Sequence, residues 1–421
     1  LLSIREKDCF ILAMSLYKTL HMDDATRKEL IQRLDSEDSR NAVRIQAEPY
    51  NEIAYTKYTP NTILDMFIRT TTNHRRNNFN IILSQEFIAH IFSPESSRWK
   101  KFALIKIIVN DNKLYNLQKS ILHVASDNVG ADSNFLLGLN SLRHMQPKNA
   151  MQFFEQSNEQ YTRQMSKDKA TFWMYQVYKQ KQYLDDLALS MDINMYSLYG
   201  KEKLGVAVDN YFSSVEITNV VNPKNLSDPF TWNTIATEIK LSKKEELFSL
   251  AKKYNQINMA PVQSFIIEKA YSFKMHGYLT PYDDYLENTS INDKALIYGL
   301  MRQESNLIPS ALSRSFALGL MQIMPFVTDD LSKRMQDPIS SYADMFKPEY
   351  NLKYALKHFE WLKETYYHPL FIAYAYNGGS GYLRRHLQAG TFLNGPYEPF
   401  MSMELMTNRE SREYGKKVLF A

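Results

Sequence analysis

Apolar residues fall at three- and four-residue spacings along much of this chain. Phe135 to Met145, Asn149 to Ser157, Lys169 to Lys179 and Tyr183 to Met191 each carry one apolar face, which predicts amphipathic helices joined by short polar turns. Pro147 separates the first two and makes them a helix hairpin of the kind that repeat proteins stack. No fixed period recurs, so the pattern predicts a degenerate helical solenoid. Before Gly277, glycine occurs only at Gly130, Gly138, Gly200 and Gly205, and the prolines of the first two hundred or so residues are confined to Pro49, Pro60, Pro94 and Pro147. Both residue types then become frequent, the mark of a long helical region followed by a loop-bearing compact domain. Pro223 and Asp228-Pro229 break the first pattern, the Lys243-Lys244-Glu245-Glu246 stretch reads as helix, and Gly277-Tyr278-Leu279-Thr280-Pro281 forms a strap into the compact domain. The expected fold is all-α in three parts: a helical solenoid over 1–221, a small helical linker domain over 222–280 and a compact domain over 281–421.

The compact domain opens on a helix with chemistry at its end. Ser290-Ile291-Asn292-Asp293 has the form of a capping box, and Ala295, Leu296, Ile297, Leu300 and Met301 then make a broad apolar face. Glu304 lies four positions after Leu300 and seven after Ile297, so it extends the buried stripe. Burial disfavours the ionised form and raises a carboxyl's pKa from about 4.3 toward roughly 6, where it can donate a proton to a glycosidic oxygen near neutral pH. The plainer alternative is a helix-end cap or a surface pair with Arg302 or Arg314.

The surrounding residues favour the first reading. Glu304-Ser305 is followed by Ser313, by Gly319-Leu320-Met321-Gln322-Ile323-Met324-Pro325, by Ala375-Tyr376-Asn377-Gly378-Gly379, and by Glu410-Ser411-Arg412 with Tyr414 and Val418. In this order and spacing, over about the last 130 residues, they resemble the lytic transglycosylase domain of the soluble murein transglycosylases. Phe346 to Leu352 and the helix from Ala355 to Leu362 resemble the turn and helix that the family places between its glutamine loop and its tyrosine-asparagine motif, and read as scaffolding. Upstream, Ala170-Thr171-Phe172-Trp173, Tyr199-Gly200 and Leu204-Gly205 resemble repeat units of the superhelical ring domain of the same enzymes, with Trp173 and Tyr199 themselves read as helix-packing residues.

The resemblance implies an α-superhelical N-terminal domain and a lysozyme-like catalytic domain. It implies cleavage of the bond between N-acetylmuramic acid and N-acetylglucosamine in peptidoglycan without water, leaving a 1,6-anhydromuramyl end. Glu304 would protonate the leaving oxygen, the sugar's own acetamido group would stabilise the cationic carbon, and Glu304 would then take the proton from the muramyl 6-hydroxyl. A usual glycosidase needs two carboxyls to manage water or a nucleophile as well as the leaving group. When both the acetamide and the attacking hydroxyl belong to the substrate, proximity is already supplied and one acid suffices.

The resemblance also assigns supporting residues. Ser313, Gln322 and Met324 match positions lining the sugar cleft, Tyr376 the tyrosine beside the developing positive charge, Asn377 its partner asparagine, and Glu410 the acid of the closing motif. Each has a plainer role open to it: Ser313 can shape a turn, Met324 can be core, Tyr376 can satisfy its hydroxyl internally and Glu410 can pair with Arg412. Gln322 offers a sugar both donor and acceptor, and Asn377-Gly378-Gly379 suits a loop that lets backbone approach a ligand. Arg412 and Tyr414 are read as structural. The chain departs from the family at Phe316, where glycine is usual, at Leu318, where a small residue is usual, and at Val327, where threonine is usual; bulk at the first two bears on the subsites.

Composition frames this reading. With 421 residues, 44% hydrophobic and 23% charged, the chain has room for two or three ordinary globular domains. No run of about twenty apolar residues suggests a membrane span. No signal peptide is visible at Leu1, whose neighbours Arg5, Glu6, Lys7 and Asp8 read as a mature amphipathic helix, so a periplasmic enzyme would have lost its leader. Cys9 is the single cysteine, which rules out an internal disulfide and a cysteine-histidine metal cluster. A net charge of +4 suits an anionic, peptide-decorated glycan and is too diffuse for nucleic acid; the Arg75-Arg76 pair reads as a solvated loop. The expectation is a monomeric, metal-independent, cofactor-free periplasmic enzyme whose partner is the peptidoglycan glycan strand. Two other classes stay open: a muramidase on the same fold, drawing a second carboxyl from Asp329, Asp330, Asp337, Glu349 or Glu404, and a non-catalytic scaffold that binds peptidoglycan. Aromatic content of 13% with 28 tyrosines suits sugar stacking and helix packing equally.

Overall fold

The structure, a computed structural model, describes residues 15–94 and 97–421. Cys9 and the charged run from Arg5 to Asp8 lie outside the described residues. The chain is all-α apart from one pair of two-residue strands among those residues, and it divides into two compact units, one ending at Tyr183 and one running Leu184–Ala421.

In the first unit, α1 (Ala131–Arg143), α2 (Pro147–Gln160) and α3 (Gln164–Tyr178) pack in sequence. Pro147 does separate α1 from α2, and it does so by opening α2, where a missing N–H costs nothing. A Cβ at Gly138 would lie 2.4 Å from the Phe154 ring, so the bare glycine lets α1 and α2 approach. Rings of Phe135, Phe154 and Trp173 then run across the three helices at 5.7 and 6.0 Å, with Trp173 fully buried.

The second unit holds α4 (Met195–Leu204), β1 (Tyr211–Phe212), α5 (Pro229–Leu241), α6 (Leu247–Lys253), α7 (Ala260–Ala270) and β2 (His276–Gly277). Helices α5 to α7 close a small core of Ile235, Ile239, Leu250, Tyr254, Val262 and Ile266. The strands pair in parallel, Tyr211 with His276 and Phe212 with Gly277. The segment ahead of α5 is laced to the residues around α7: Thr218 donates its N–H to the Asn255 carbonyl at 2.7 Å and Ile257 to Val220 at 3.2 Å.

The larger core of this unit surrounds α8 (Ile291–Ser305), with α9 (Pro325–Met335), α10 (Pro348–Tyr366), α11 (Pro369–Gly378), α12 (Ser380–Gln388), α13 (Phe400–Leu405) and α14 (Arg409–Val418). Ile297, Leu300 and Met301 of α8 are buried with Leu320, Tyr354, Ala373, Tyr374 and Tyr414, the stripe the spacing predicts. The cap of α8 differs in detail from the capping box. Ser290 Oγ accepts the Asp293 N–H, but the Asp293 carboxylate takes the Ser290 hydroxyl at 2.7 Å and Lys363 Nζ at 2.6 Å, because a lysine from α10 competes for it. Glycines bring the helices together: a Cβ at Gly299 would sit 2.9 Å from the Val418 carbonyl, and one at Gly415 would sit 2.3 Å from the Tyr374 ring. This contact lays α14 against α8 beside Glu304. Arg302 anchors the other face of α8, its guanidinium 2.5 Å from the Glu268 carboxylate on α7.

Candidate active site

Helix α8 stops one residue after Glu304 because Asn306 and Leu307 take left-handed conformations, φ 51° and 64°. Asparagine tolerates that region, which places Glu304 in the last turn, among the helix's unpaired carbonyls. The side chain is partly buried. Burial pushes its carboxyl up to about 7; the nearby Glu410 adds to the rise, while a hydrogen bond from Tyr414 opposes it. That bond runs from the Tyr414 hydroxyl to Glu304 Oε1 at 2.6 Å, so the proton of the acid form resides on the other oxygen. Burial and the Glu304 carboxyl hold the Tyr414 phenol well above its ordinary range, and it stays a donor.

Tyr376, on α11, donates its hydroxyl to the Met321 carbonyl at 2.7 Å. Its pKa too is raised, by burial first and then by the Glu304 carboxyl nearby. With the phenolic proton committed to Met321, the oxygen lone pairs remain for a positive centre. Asn377, the next residue, accepts from Ser411 Oγ at 2.8 Å and lies 3.4 Å from Glu410 Oε1. Gly378 permits this closeness, since a Cβ there would fall 2.6 Å from Tyr382 and 2.8 Å from Ser411 Oγ. Glu410 itself sits in the first turn of α14, which Asn408 caps through its Oδ1. Glu304, Tyr376, Asn377 and Glu410, far apart in sequence, are thus brought into one neighbourhood.

The glutamine loop is held mainly by its own polar groups. Ser313 Oγ accepts the N–H groups of Ala317 at 2.9 Å and Ser315 at 3.2 Å, the turn-shaping role. Gln322, at φ 47°, gives its amide nitrogen to the Ala311 and Gly319 carbonyls, both at 2.9 Å. Met324 is half-buried and precedes α9 as its N-cap residue. The main pin comes from the stretch whose sequence reads as scaffolding. Asn351, fully buried on α10, accepts from Met321 N at 2.8 Å and donates to the Leu318 and Met345 carbonyls at 2.9 Å. Gly319, at φ 76°, leaves room for that amide; a Cβ would come within 2.2 Å of Asn351 Nδ2. Tyr414, also read as structural, instead touches the acid. Neither role could be read from spacing, because an Asn or Tyr on a helix shows its partner only once distant segments meet.

The departures from the resembled family have separate consequences. Leu318 is buried in the core and paired by backbone to Ile323, so its bulk points away from a groove. Phe316 stays exposed at 68% and adopts φ 65°, a conformation that suits glycine. Phe316→Gly is expected to relieve up to about 1 kcal/mol of backbone strain, partly offset by the greater freedom of the unfolded chain, and urea denaturation checks it.

Four of the five acids that could serve a hydrolase are otherwise engaged. Glu404 lies buried against Lys416 at 3.1 Å and accepts from Tyr196; Asp330 pairs with Arg334 at 2.7 Å; Asp337 pairs with Lys353; Asp329 accepts from Tyr342 at 2.9 Å. Among the described residues no group of three or more His, Cys, Asp or Glu side chains could hold a metal, and no helix is long and apolar enough to cross a membrane. Arg76 is bound to Asp111 at 2.8 Å rather than lying free in a solvated loop, and Arg75 is buried against backbone carbonyls.

A partly buried acid at a helix end stands with two tyrosines and an asparagine-stabilised loop, and residues 284–394 match the family model described as the transglycosylase SLT domain. Membrane-bound lytic murein transglycosylase C of Edwardsiella ictaluri is 34% identical over 147 residues, 30% of this chain and 40% of that protein. A Haemophilus influenzae protein whose name places it with the soluble lytic murein transglycosylases is 29% identical over 154 residues, 35% of this chain and 26% of that protein. The chain therefore spans between about a quarter and two fifths of the length of these curated relatives. In fold it is similar to the 70 kDa soluble lytic transglycosylase of Escherichia coli, at a TM-score of 0.55 and 16% identity, covering 99% of this chain and 72% of that one.

Proposed function

We propose that this protein is a peptidoglycan lytic transglycosylase of the periplasm, acting on glycan strands with Glu304 as acid and then base. The observation that carries the reading is the state of Glu304, a carboxyl raised to about 7 by burial and oriented by Tyr414 at 2.6 Å. Such a group is substantially protonated near neutral pH, can give its proton to the departing N-acetylglucosamine oxygen, and is then a base of matched strength for the muramyl 6-hydroxyl. The bond from the anomeric carbon to the leaving oxygen breaks, the 6-oxygen closes on that carbon, and the proton count on Glu304 returns to its start. Tyr376 supports the cationic stage through its oxygen, oriented by its bond to Met321. Asn377 and Glu410 border the same centre, and the loop carrying Ser313, Gln322 and Met324 forms the wall of the cleft. The catalytic body is taken as 281–421, after the linker 222–280 and the helical region 1–221.

Mass spectrometry of muropeptides released from purified peptidoglycan tests this. Products one water lighter than hydrolytic ones, absent with Glu304→Gln, are the expected result; fragments of full hydrolytic mass make the protein a muramidase, and no release by the unmodified protein leaves a binding scaffold. Repeated across pH, turnover is expected to decline as the pH rises through about 7, when Glu304 starts the cycle without its proton.

A further inference from the structure

Helix α10 acts on Tyr376 at two points. Asn351 accepts the Met321 N–H at 2.8 Å, and the Met321 carbonyl receives the Tyr376 hydroxyl at 2.7 Å. His358 follows Asn351 by two helical turns, on the same face of α10. Its imidazole meets the Tyr376 ring at 5.6 Å between centroids and stacks on Trp361 of its own helix at 5.8 Å and 25°. The tyrosine is thus held at its hydroxyl through the glutamine loop and at its ring by an imidazole.

Only the second of these contacts can change its charge. His358 is half-buried and lines a cleft of about 430 Å³ shared with Phe326 and Trp361, so a proton can reach it from solvent. The charged groups around it come from several helices. Arg334 of α9 opposes a further positive charge, and Asp330, its partner at 2.7 Å, favours one. On α10, Lys357 is paired with Glu360 at 3.1 Å and Glu364 also lines the cleft; α12 contributes Ser380, which carries no charge. Tyr376 of α11 in turn feels the Glu304 carboxyl of α8. Burial first, and then Arg334, hold the imidazole below its ordinary range. The ring is therefore neutral near pH 7 and takes up a proton only in acid.

We infer that His358 is a positioning residue for Tyr376 and supports cleavage only while uncharged: the neutral ring holds the tyrosine in place, whereas an imidazolium puts a positive charge beside the group that serves the cationic stage. This rests on the proposed function. At the separation of two packed rings, a like charge costs on the order of tenfold in rate even with partial screening by solvent. Turnover then has two limbs of different origin. It falls in alkali as Glu304 loses its proton and falls in acid as His358 gains one.

The test follows the rate of muropeptide release from purified peptidoglycan between about pH 4 and pH 7, for the full chain and for two variants of His358. His358→Phe keeps a ring against Trp361 and Tyr376 but takes no proton, so its acid limb is expected to vanish while the alkaline limb stays. His358→Arg keeps a planar group with a permanent charge, and is expected to run about tenfold slower than the unmodified protein near neutral pH. Circular dichroism melts over the same pH range separate loss of fold from loss of rate; should the arginine variant not fold, the phenylalanine comparison decides alone. A merely structural role for the imidazole would lower the rate at every pH without moving the limb. An unmodified protein with no acid limb, or an acid limb that survives His358→Phe, overturns the inference. If muropeptides are released in that case, only the role of His358 fails; if the unmodified protein releases none at any pH, the glycan-cleaving reading fails and the role of His358 with it.

Discussion

Glu304→Gln is expected to lower glycan cleavage by at least about a thousandfold and, at pH 8, to make the protein more stable. The loss of activity comes from removing the group that gives and takes the proton in the proposed reaction. The gain in stability comes from linkage. Glu304 is raised from 4.5 to about 7 by folding, so between those pH values the folded protein holds a proton that the unfolded chain has released. Stability therefore falls as pH rises through this window and stays reduced above 7, by a penalty on the order of 3 kcal/mol. Glutamine accepts the Tyr414 hydrogen bond and carries no such penalty. Thermal unfolding at pH 8 should show the variant melting several degrees higher, and at pH 4 the two proteins should converge. A variant less stable at pH 8 would mean that the carboxylate is well solvated and Glu304 is not a tuned acid.

Lys416→Met is expected to have the opposite effect on stability, a loss of about 3–5 kcal/mol. Lys416 Nζ is buried on α14, 3.1 Å from Glu404 on α13, 3.1 Å from Glu413 and 3.3 Å from the Tyr196 hydroxyl on α4. Removing the ammonium leaves the Glu404 carboxylate buried without a countercharge, which is far costlier than removing both charges together. The double variant Glu404→Gln with Lys416→Met should recover much of the loss, and urea denaturation of the two singles and the double measures the coupling. Since α14 also carries Tyr414, Lys416→Met should disturb the acid's partner and reduce turnover even at temperatures where the fold persists.

The helices and the placement of Glu304 were legible in sequence for different reasons. Helices of the first unit and α8 depend on local periodicity and on start signals such as Pro147 and Ser290, so their positions emerge within several residues of expectation. Glu304 was legible because one face of α8 is apolar and four motif segments recur in a specific order. The uses of individual polar groups were not. Ser313 and the amide nitrogen of Gln322 serve the loop's own backbone, Asn351 pins that loop from α10, and Glu404 belongs to a buried ion pair with Lys416. Some of these partners are distant along the chain, 30 residues from Met321 to Asn351 and 208 from Tyr196 to Glu404.

The sequence by itself determined that the chain is helical and which carboxyl sits on a buried stripe. Those are consequences of side-chain chemistry acting over one or two helical turns. Only the tertiary structure decided that Tyr414 donates to that carboxyl, that Tyr376 turns its proton toward Met321, and that Trp361 and Phe326 share an open cleft with His358. Each depends on the packing of separate segments, where a difference of an ångström separates a hydrogen bond from no contact and no local pattern records the distance.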